Sequence, residues 1–162
     1  FGVHARVGGA KMAVNVDISG KILEKGRLNY SLNGLECLPG EFFKGNAFEY
    51  LAWAKKREKL FDIIVLDPPS FARFKGFSFN VQRDLDSLVE ASSAVLAPAG
   101  FLMVSSNYSA FRLENFAQKA LNNVKKICGN AQIIWKRSQS ADFVGTGLTK
   151  DSSLCAVLIQ NL

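Results

Sequence analysis

The sequence predicts an α/β fold with a mostly parallel, doubly wound sheet. Segments rich in β-branched and aliphatic residues alternate with segments whose apolar residues recur at helical spacing, and such alternation is typical of βαβ units. The last two apolar segments, 131–137 and 153–160, have no helix between them, which favours an antiparallel hairpin at the end of the sheet. With 162 residues, 48% hydrophobic and 21% charged, residues 1–162 are expected to form a single domain with a substantial core.

The first half of the chain is predicted to contain a short helix and two strand–helix units. Residues 1–7 are expected to be helical and to end at the glycine pair that follows. The segment 11–19 alternates in a β-rich pattern and predicts a buried strand that ends on Asp17. A helix is predicted over 21–35, and its apolar face is expected to carry Ile22, Leu23, Leu28, Leu32 and Leu35. A short strand around 41–44 and a helix over 47–59 complete this half.

The second half begins with an apolar run over 61–67, which is typical of a strand buried on both faces. Residues 70–80 mix phenylalanines with basic residues and are expected to be irregular. Pro98 and Gly100 are expected to separate a helix from the strand after it. The remaining predicted elements are a helix over 81–96, a buried strand over 101–106, a helix over 110–127, a strand over 131–137, a loop over 138–151 and a strand over 153–160.

Charge and cysteine content narrow the possible functions. The net charge of +6 and the pI of about 9.3 suit a polyanionic partner such as nucleic acid. Cys37, Cys128 and Cys155 are widely spaced, so they indicate neither a disulfide framework nor a metal cluster. His4 is the single histidine, so no histidine-based metal site is expected. No apolar stretch suggests a membrane span and no signal peptide is visible, so we expect a cytoplasmic protein with no metal and no membrane partner.

The start of the chain is unusual for this fold. It opens on Phe1 rather than methionine, and FGVHARVGGA leaves no room for a strand before the first helix. We therefore expect the chain to lack its natural N-terminus and, with it, the first strand of the sheet.

Polar residues follow four of the predicted strands, where open α/β sheets bind their ligands. These residues are Asp17, Asn46, Asp67 and Asn107. Asp17 can accept hydrogen bonds from both hydroxyls of a ribose or can cap the next helix, and we favour the ribose. Asn46 can read the edge of an adenine or cap the next helix, and the sequence does not separate these two roles.

The segment DIIVLDPPSF, 62–71, carries the sharpest chemical signal. Asp67 ends an apolar run and is followed at once by Pro68 and Pro69, which cannot donate to a sheet. The segment resembles the (D/N)PP(Y/F)-type motif of methyltransferases that act on nucleobases and other planar nitrogens. In such a motif the rigid carbonyls can accept from an amino group, and Phe71 could stack on a base. The alternative is a strand-terminating turn with a capping acid.

Basic and aromatic residues interleave directly after this segment. Arg73, Lys75 and Arg83 surround Phe74, Phe77 and Phe79. Cations among aromatic rings suit an unstacked base and its phosphates. A lid or a satellite hydrophobic cluster is the alternative.

Several motifs together resemble one family. VHARVGGA, VNVDIS, DPPSFARFKGFSFNVQRD, VSSN after a strand, and SADF in the late loop look like the class I S-adenosylmethionine-dependent methyltransferases of large-subunit ribosomal RNA. Within that family they resemble in particular the guanine-N7 module of the bifunctional bacterial enzyme. The resemblance implies a Rossmann-like methyltransferase fold, S-adenosyl-L-methionine as the cofactor and ribosomal RNA as the partner.

The resemblance also implies roles for individual residues. Phe1 and Gly2 would be the tail of a turn that wraps the methionine end of the cofactor. Asp17 and Ile18 would hold its ribose, and Asn46 and Ala47 would lie near its adenine. The methyl-transfer site, with the methyl end of the cofactor at Asp67, would be framed by Asp67, Pro68, Pro69 and Phe71.

The predicted reaction is methylation of guanine N7, whose lone pair is already a nucleophile. Relatives that methylate cytosine C5 need a cysteine near the position of Ser105-Ser106-Asn107, and no cysteine is predicted at a strand end here. Cytosine C5 is therefore disfavoured. Two alternatives stay open: methylation of an exocyclic amine of adenine or guanine, and a non-catalytic RNA-binding module with a methyltransferase-like fold.

Overall fold

The structure is a computed structural model of the chain, and it describes residues 1–74, 76–138 and 154–162. The chain packs as two compact units, Phe1–Trp53 and Ala54–Leu162. The predicted RNA-binding residue Lys75 and the SADF segment of the late loop lie outside the described residues.

The first unit contains a short parallel pair of strands with helices around it. Its elements are α1 (Gly2–Val7), β1 (Asn15–Asp17), α2 (Gly20–Leu32), β2 (Phe42–Lys44) and α3 (Ala47–Lys56), whose last turn belongs to the second unit. β1 and β2 run parallel with Asp17 opposite Lys44, so their carboxyl ends lie at one edge. All three residues of β1 are half-buried, so the prediction of a buried strand over 11–19 is wrong in length and in burial.

The buried face of α2 differs from the predicted one. Ile22, Leu28 and Leu32 are exposed, whereas Leu23 and Tyr30 are buried. The buried stripe passes through Gly26, where an added Cβ would lie 2.8 Å from the ring of Phe42. Tyr30 packs edge-on against that same ring at 5.1 Å. Aliphatic spacing alone misses this face, because two of its three residues are a glycine and a tyrosine.

The second unit is built on a four-stranded sheet in the order β3-β6-β8-β7. Its elements are β3 (Phe61–Leu66), β4 (Phe71–Phe74), β5 (Phe77–Asn80), α4 (Val81–Ser93), β6 (Leu96–Ser106), α5 (Leu113–Cys128), β7 (Ala131–Ser138) and β8 (Cys155–Asn161). β3 and β6 are parallel, and β8 is antiparallel to both β6 and β7. The predicted α/β fold, with parallel strands and an antiparallel C-terminal hairpin, is therefore confirmed.

The core of the second unit forms where α5 packs on β7 and β8. α5 buries Phe116, Ala117, Ala120 and Val124, which lie on one face at helical spacing. Alternate residues of β8, including Val157 and Ile159, are fully buried. Leu102 and Val104 of β6 are likewise fully buried, so β6 and β8 form the rigid centre of this unit.

Residues 71–74 and 77–80 pair as a hairpin, whereas the sequence predicted an irregular segment here. β4 and β5 pair antiparallel, with Phe71 opposite Asn80 and Phe74 opposite Phe77. Gly76 adopts φ +81°, a left-handed conformation that short hairpin turns require. The run of phenylalanines concealed the turn signal of this glycine.

The strand that contains Ser105, β6, begins earlier than the sequence predicted. β6 starts at Leu96, and the pairing with β3 shifts in register between Phe61 and Ile63. This irregularity accommodates Pro98, which has no N–H to donate to a ladder, inside the strand. At Gly100 an added Cβ would lie 2.8 Å from the carbonyl oxygen of Ala97, so the irregular backbone also needs a glycine there.

β3 is less buried than its apolar sequence suggested. It lies at one end of the strand order, and β6 is its only partner among the described strands. Ile63 is 66% exposed, so the prediction that β3 is buried on both faces is wrong. Among the described helices, none has both the length and the apolar character that crossing a membrane requires.

Candidate functional site

In the first unit, two of the predicted site residues lie at one edge. Asp17 is the last residue of β1, and Asn46 stands between β2 and α3. The backbone N–H of Gly45 donates to the carbonyl oxygen of Asp17 at 3.1 Å, which ties the two strand ends together. The predicted placement of Asp17 and Asn46 at the ends of neighbouring parallel strands is therefore confirmed.

The Asp17 carboxylate is held by its own turn. Its Oδ1 accepts from the backbone N–H of Ser19 at 2.7 Å. The N-cap of α2 is Ser19, whose side chain accepts from the N–H of Ile22, so the alternative of Asp17 as the helix cap is wrong. Within the described residues Oδ2 of Asp17 has no hydrogen-bond partner, so one carboxylate oxygen is available to a ligand. Ile18, which lies between Asp17 and Ser19 in the chain, is half-buried.

Asn46 is buried and uses its oxygen locally. Oδ1 accepts from the N–H of Glu49 at 2.8 Å and so satisfies the first turn of α3, in which Ala47 is the first residue. The helix-capping role that the sequence left open is therefore real. The Nδ2 group has no hydrogen-bond partner among the described residues, and it keeps two donors that could meet an acceptor such as an adenine nitrogen.

Phe1 and Gly2 begin α1. The Phe1 side chain is 69% exposed. A Cβ added at Gly2 would lie 2.4 Å from Oδ1 of Asn15 and 2.8 Å from the hydroxyl of Tyr30. The helix therefore approaches β1 and α2 so closely at this position that only glycine fits.

A buried ion pair fixes α1 from its other end. Glu41 is fully buried and accepts from the N–H groups of Ala13 and Leu38, at 2.9 and 2.8 Å, and from Arg6. Burial by itself raises the pKa of Glu41, but these two N–H groups and the Arg6 guanidinium lower it more, so its pKa lies below the ordinary value. The sequence contains no pattern that marks this pair, because the two residues are far apart along the chain.

In the second unit, Asp67 directly follows β3 and is joined to the neighbouring strand. The hydroxyl of Ser105, near the end of β6, lies 2.7 Å from Oδ1 of Asp67 and 3.3 Å from the carbonyl oxygen of Leu66. Ser105 is buried, whereas Asp67 and Pro69 are exposed. Within the described residues Oδ2 of Asp67 has no hydrogen-bond partner.

The far end of the Asp67–Ser70 segment is also anchored. The hydroxyl of Ser70 donates to Oδ1 of Asn107 at 3.3 Å, and the carbonyl oxygen of Ser70 accepts from the N–H of Val81 at 3.0 Å. Asn107 follows β6, so the predicted meeting of Asp67 and Asn107 at one edge of the sheet is confirmed. Ser105 was not a predicted site residue, although it lies at the end of a predicted strand and the strand-end rule could have found it.

The hairpin β4–β5 presents an aromatic ring and a cation. Phe71 is 51% exposed, and the guanidinium carbon of Arg73 lies 5.1 Å from the centre of its ring. Arg83 is engaged elsewhere, because it pairs with Asp84 and donates to the carbonyl oxygen of Ser78 at 3.0 Å. Asn80 caps α4 by accepting from the N–H of Gln82. The NVQRD motif therefore anchors the hairpin to α4.

Cys155 lies nearer to this edge than the sequence suggested. It is the first residue of β8, whereas the strand predicted over 153–160 placed it inside, and it pairs with Ser106 at the end of β6. The thiol is 2% exposed and points to the carbonyl oxygen of Phe111 at 3.8 Å. Burial raises the pKa of Cys155, although Arg112 opposes this, so the thiol is a poor nucleophile.

No group of three or more histidine, cysteine or acidic residues could hold a metal ion within the part of the chain that the structure describes.

Residues 1–127 match the sequence profile of the S-adenosylmethionine-dependent methyltransferases. The chain belongs to this family. The family that the motifs predicted is thus confirmed, and S-adenosylmethionine is the cofactor of that family.

Curated relatives of the chain carry ribosomal RNA names. Ribosomal RNA large subunit methyltransferase I of Aeromonas salmonicida is 33% identical over 99% of this chain and 41% of its own length. Ribosomal RNA large subunit methyltransferase K/L of a Psychrobacter species is 37% identical over 69% of this chain and 14% of its own length. The chain thus spans less than half of either relative, and neither name states a target base or atom.

Solved structures agree on the fold. The crystal structure of SMU.776 complexed with SAH has a TM-score of 0.82 and 23% identity, covering 98% of this chain and 41% of that one. TrmN from Thermus thermophilus has a TM-score of 0.59 and 15% identity, covering 99% and 40% of the two chains. At these identities the likeness supports the methyltransferase fold and nothing finer.

Proposed function

We propose that residues 1–162 form a methyltransferase domain that transfers a methyl group from S-adenosylmethionine to a guanine of large-subunit ribosomal RNA in the cytoplasm, at N7. The observation that carries this proposal is the exposed Asp67 carboxylate, held at the end of β3 beside Pro68 and Pro69, in a member of this family. The ribosomal RNA names of the relatives support the substrate, and the net charge of +6 suits it.

The first unit offers groups that fit the nucleoside part of the cofactor. Oδ2 of Asp17 can accept hydrogen bonds from ribose hydroxyls while Oδ1 is held by Ser19. Nδ2 of Asn46 can donate to an adenine nitrogen while Oδ1 caps α3. We assign Ile18 and Ala47 to the apolar surroundings of these two groups, and Phe1 and Gly2 to the methionine end. When bound, S-adenosylmethionine supplies a methyl group on a positively charged sulfur.

The chemistry at N7 needs no base and no metal. The N7 lone pair forms the new bond to the methyl carbon while the carbon–sulfur electron pair returns to sulfur. No proton is lost, and the positive charge moves onto the guanine ring. Asp67 can hold the donor edge of the base through Oδ2 and stabilises the developing charge, so catalysis consists of positioning and electrostatics.

The residues after Asp67 complete the proposed base site. The carbonyl oxygens of Pro68 and Pro69 limit the space beside the base, and Phe71 offers an exposed ring on which a base can stack. Arg73, next to that ring, can contact a phosphate. Lys75 and Arg83 are also proposed RNA contacts. Arg83 forms an ion pair with Asp84, so it would contact a phosphate while keeping that pair.

A second candidate reaction is methylation of an exocyclic amine, which the free acceptor at Oδ2 of Asp67 also favours. The amine would donate to this oxygen, its lone pair would bond to the methyl carbon as the carbon–sulfur pair returned to sulfur, and its proton would pass to the Asp67 carboxylate. Cytosine C5 is disfavoured because it requires a reactive thiolate, and Cys155 is buried with a raised pKa.

Calorimetric titration of S-adenosylhomocysteine into the chain, and into the protein as its full gene encodes it, tests the cofactor site. We expect Asp17→Ala to abolish binding while Glu24→Ala, an exposed acid on α2, leaves it unchanged. Mass spectrometry of in vitro transcribed large-subunit ribosomal RNA treated with the protein then identifies the methylated atom. N7-methylguanosine supports the proposal; an N-methylated exocyclic amine favours the second candidate. Absence of cofactor binding by both proteins would favour an RNA-binding module without catalysis.

A further inference from the structure

We propose that Ser105 is a positioning residue that fixes the Asp67 carboxylate and thereby decides which of its oxygens meets the target base. The proposal rests on the proposed function and adds a residue to it. Ser105 lies near the end of β6, directly beside the parallel strand β3 that Asp67 follows.

The hydrogen of the Ser105 hydroxyl has one favoured acceptor. Oδ1 of Asp67 lies at 2.7 Å and carries charge, whereas the carbonyl oxygen of Leu66 lies at 3.3 Å and is neutral. A hydroxyl has a single hydrogen, and charged acceptors form the shorter and stronger bonds. Ser105 is 4% exposed, so little water competes for this hydrogen. The hydroxyl therefore donates to Asp67.

Comparison with Asp17 shows why Asp67 needs help from another strand. The carboxylate of Asp17 is held by the backbone N–H of the residue two positions later, Ser19. At Asp67 the next two residues are Pro68 and Pro69, and proline has no N–H. A backbone N–H of the kind that holds Asp17 is thus unavailable to Asp67. The hydroxyl of Ser105, on β6, supplies the hydrogen bond instead.

The hydrogen bond from Ser105 gives the two oxygens of the Asp67 carboxylate different roles. Without a donor at Oδ1, the carboxylate of an exposed aspartate rotates freely, and its two oxygens are equivalent. With Ser105 at Oδ1, Oδ2 is the oxygen that is left for a base donor. The anchoring of Ser70 to Asn107 and Val81 holds the other end of the segment, so the arrangement exists before substrate binds.

A double-mutant cycle on the protein as its full gene encodes it tests this role. The variants are Ser105→Ala, Asp67→Ala and the double variant, and the assay is single-turnover methylation of in vitro transcribed large-subunit ribosomal RNA. Loss of positioning by about 1 Å costs on the order of a hundredfold in rate, so we expect Ser105→Ala to lower the rate roughly tenfold to a hundredfold. In the Asp67→Ala background the same change should alter the rate by less than about twofold, because nothing is left to position.

The matched control is Ser93→Ala, which removes another buried serine hydroxyl of the second unit, one that donates to the carbonyl oxygen of Val89. We expect it to lower stability as Ser105→Ala does and to leave the methylation rate unchanged. An equal rate loss from Ser105→Ala with and without Asp67 would show a structural role only and overturn the inference while the proposed function stands. A wild-type protein that transfers no methyl group to this RNA would overturn the proposed function, and the inference with it.

Discussion

Replacing Glu41 with glutamine removes one negative charge from the interior of the first unit with little change in shape. Glu41 is fully buried, and its two oxygens accept from Arg6 and from the N–H groups of Ala13 and Leu38. Glutamine keeps one accepting oxygen, but its NH₂ group must face a donor that the carboxylate used to satisfy. The Arg6 guanidinium, whose side chain is 14% exposed, then lacks a charged partner.

The size of the effect follows from that burial. Hydrogen bonds to charged groups contribute about 1.5–3 kcal/mol, and breaking a buried ion pair costs about 3–5 kcal/mol. We therefore expect Glu41→Gln to lower the free energy of unfolding by about 3 kcal/mol at pH 7, which corresponds to a fall in Tm of roughly 6–12 °C for a chain of this size. The control Glu114→Gln breaks an ion pair with Lys136 that is largely exposed on the glutamate side, and it should cost less than about 1 kcal/mol.

The pH dependence of stability tests whether the negative charge of Glu41 is responsible for the effect. The pKa of Glu41 is lowered from 4.5 in the folded protein, so its contribution is fully present above pH 4.5 and is lost as the pH falls through the lower folded value. Urea unfolding followed by circular dichroism should therefore show the difference between wild type and Glu41→Gln shrinking as the pH is lowered from 7 towards 3. A variant as stable as wild type at pH 7 would refute the reasoning, and so would a difference that does not change with pH.

Three further substitutions test local features of the structure. Gly2→Ala should destabilise the protein by about 1–3 kcal/mol, since its Cβ would lie 2.4 Å from Oδ1 of Asn15, whereas Gly20→Ala, whose Cβ meets only the Lys44 side chain at 3.5 Å or more, should not lower Tm. Ser92→Ala should raise the free energy of unfolding by about 1 kcal/mol in urea titrations, because the buried Ser92 hydroxyl has no hydrogen-bond partner among the residues that the structure describes; a clear loss of stability would contradict this. Phe71→Ala should raise the KM for RNA in methylation assays about 5- to 150-fold, from the roughly 1–3 kcal/mol of a lost base stack, and leave the affinity for S-adenosylhomocysteine unchanged; an equal loss of both would place Phe71 against the cofactor instead.

Local patterns in the sequence were enough for the order of the elements, apart from the β4–β5 hairpin, and for the two strand ends that carry acids. A strand that stops on an acid, as at Asp17 and Asp67, can be identified without a fold, because the carboxylate and the turn residues are adjacent in the chain. The C-terminal hairpin was likewise predictable, since the sequence between its two strands shows no helical pattern of the kind that a parallel crossover uses. The buried face of α2 was not, because it depends on how closely Phe42 can approach Gly26.

The sequence by itself determined the α/β class, the family and the position of the DPPSF segment, since each depends on neighbouring residues and on their spacing along one segment. Only the tertiary structure decided which residues hold that segment in place. Ser105 meets Asp67, and Arg6 meets Glu41, across 38 and 35 positions of sequence. Such pairs form because strands and helices remote in the chain pack side by side, and no local periodicity records which side chains will then face each other.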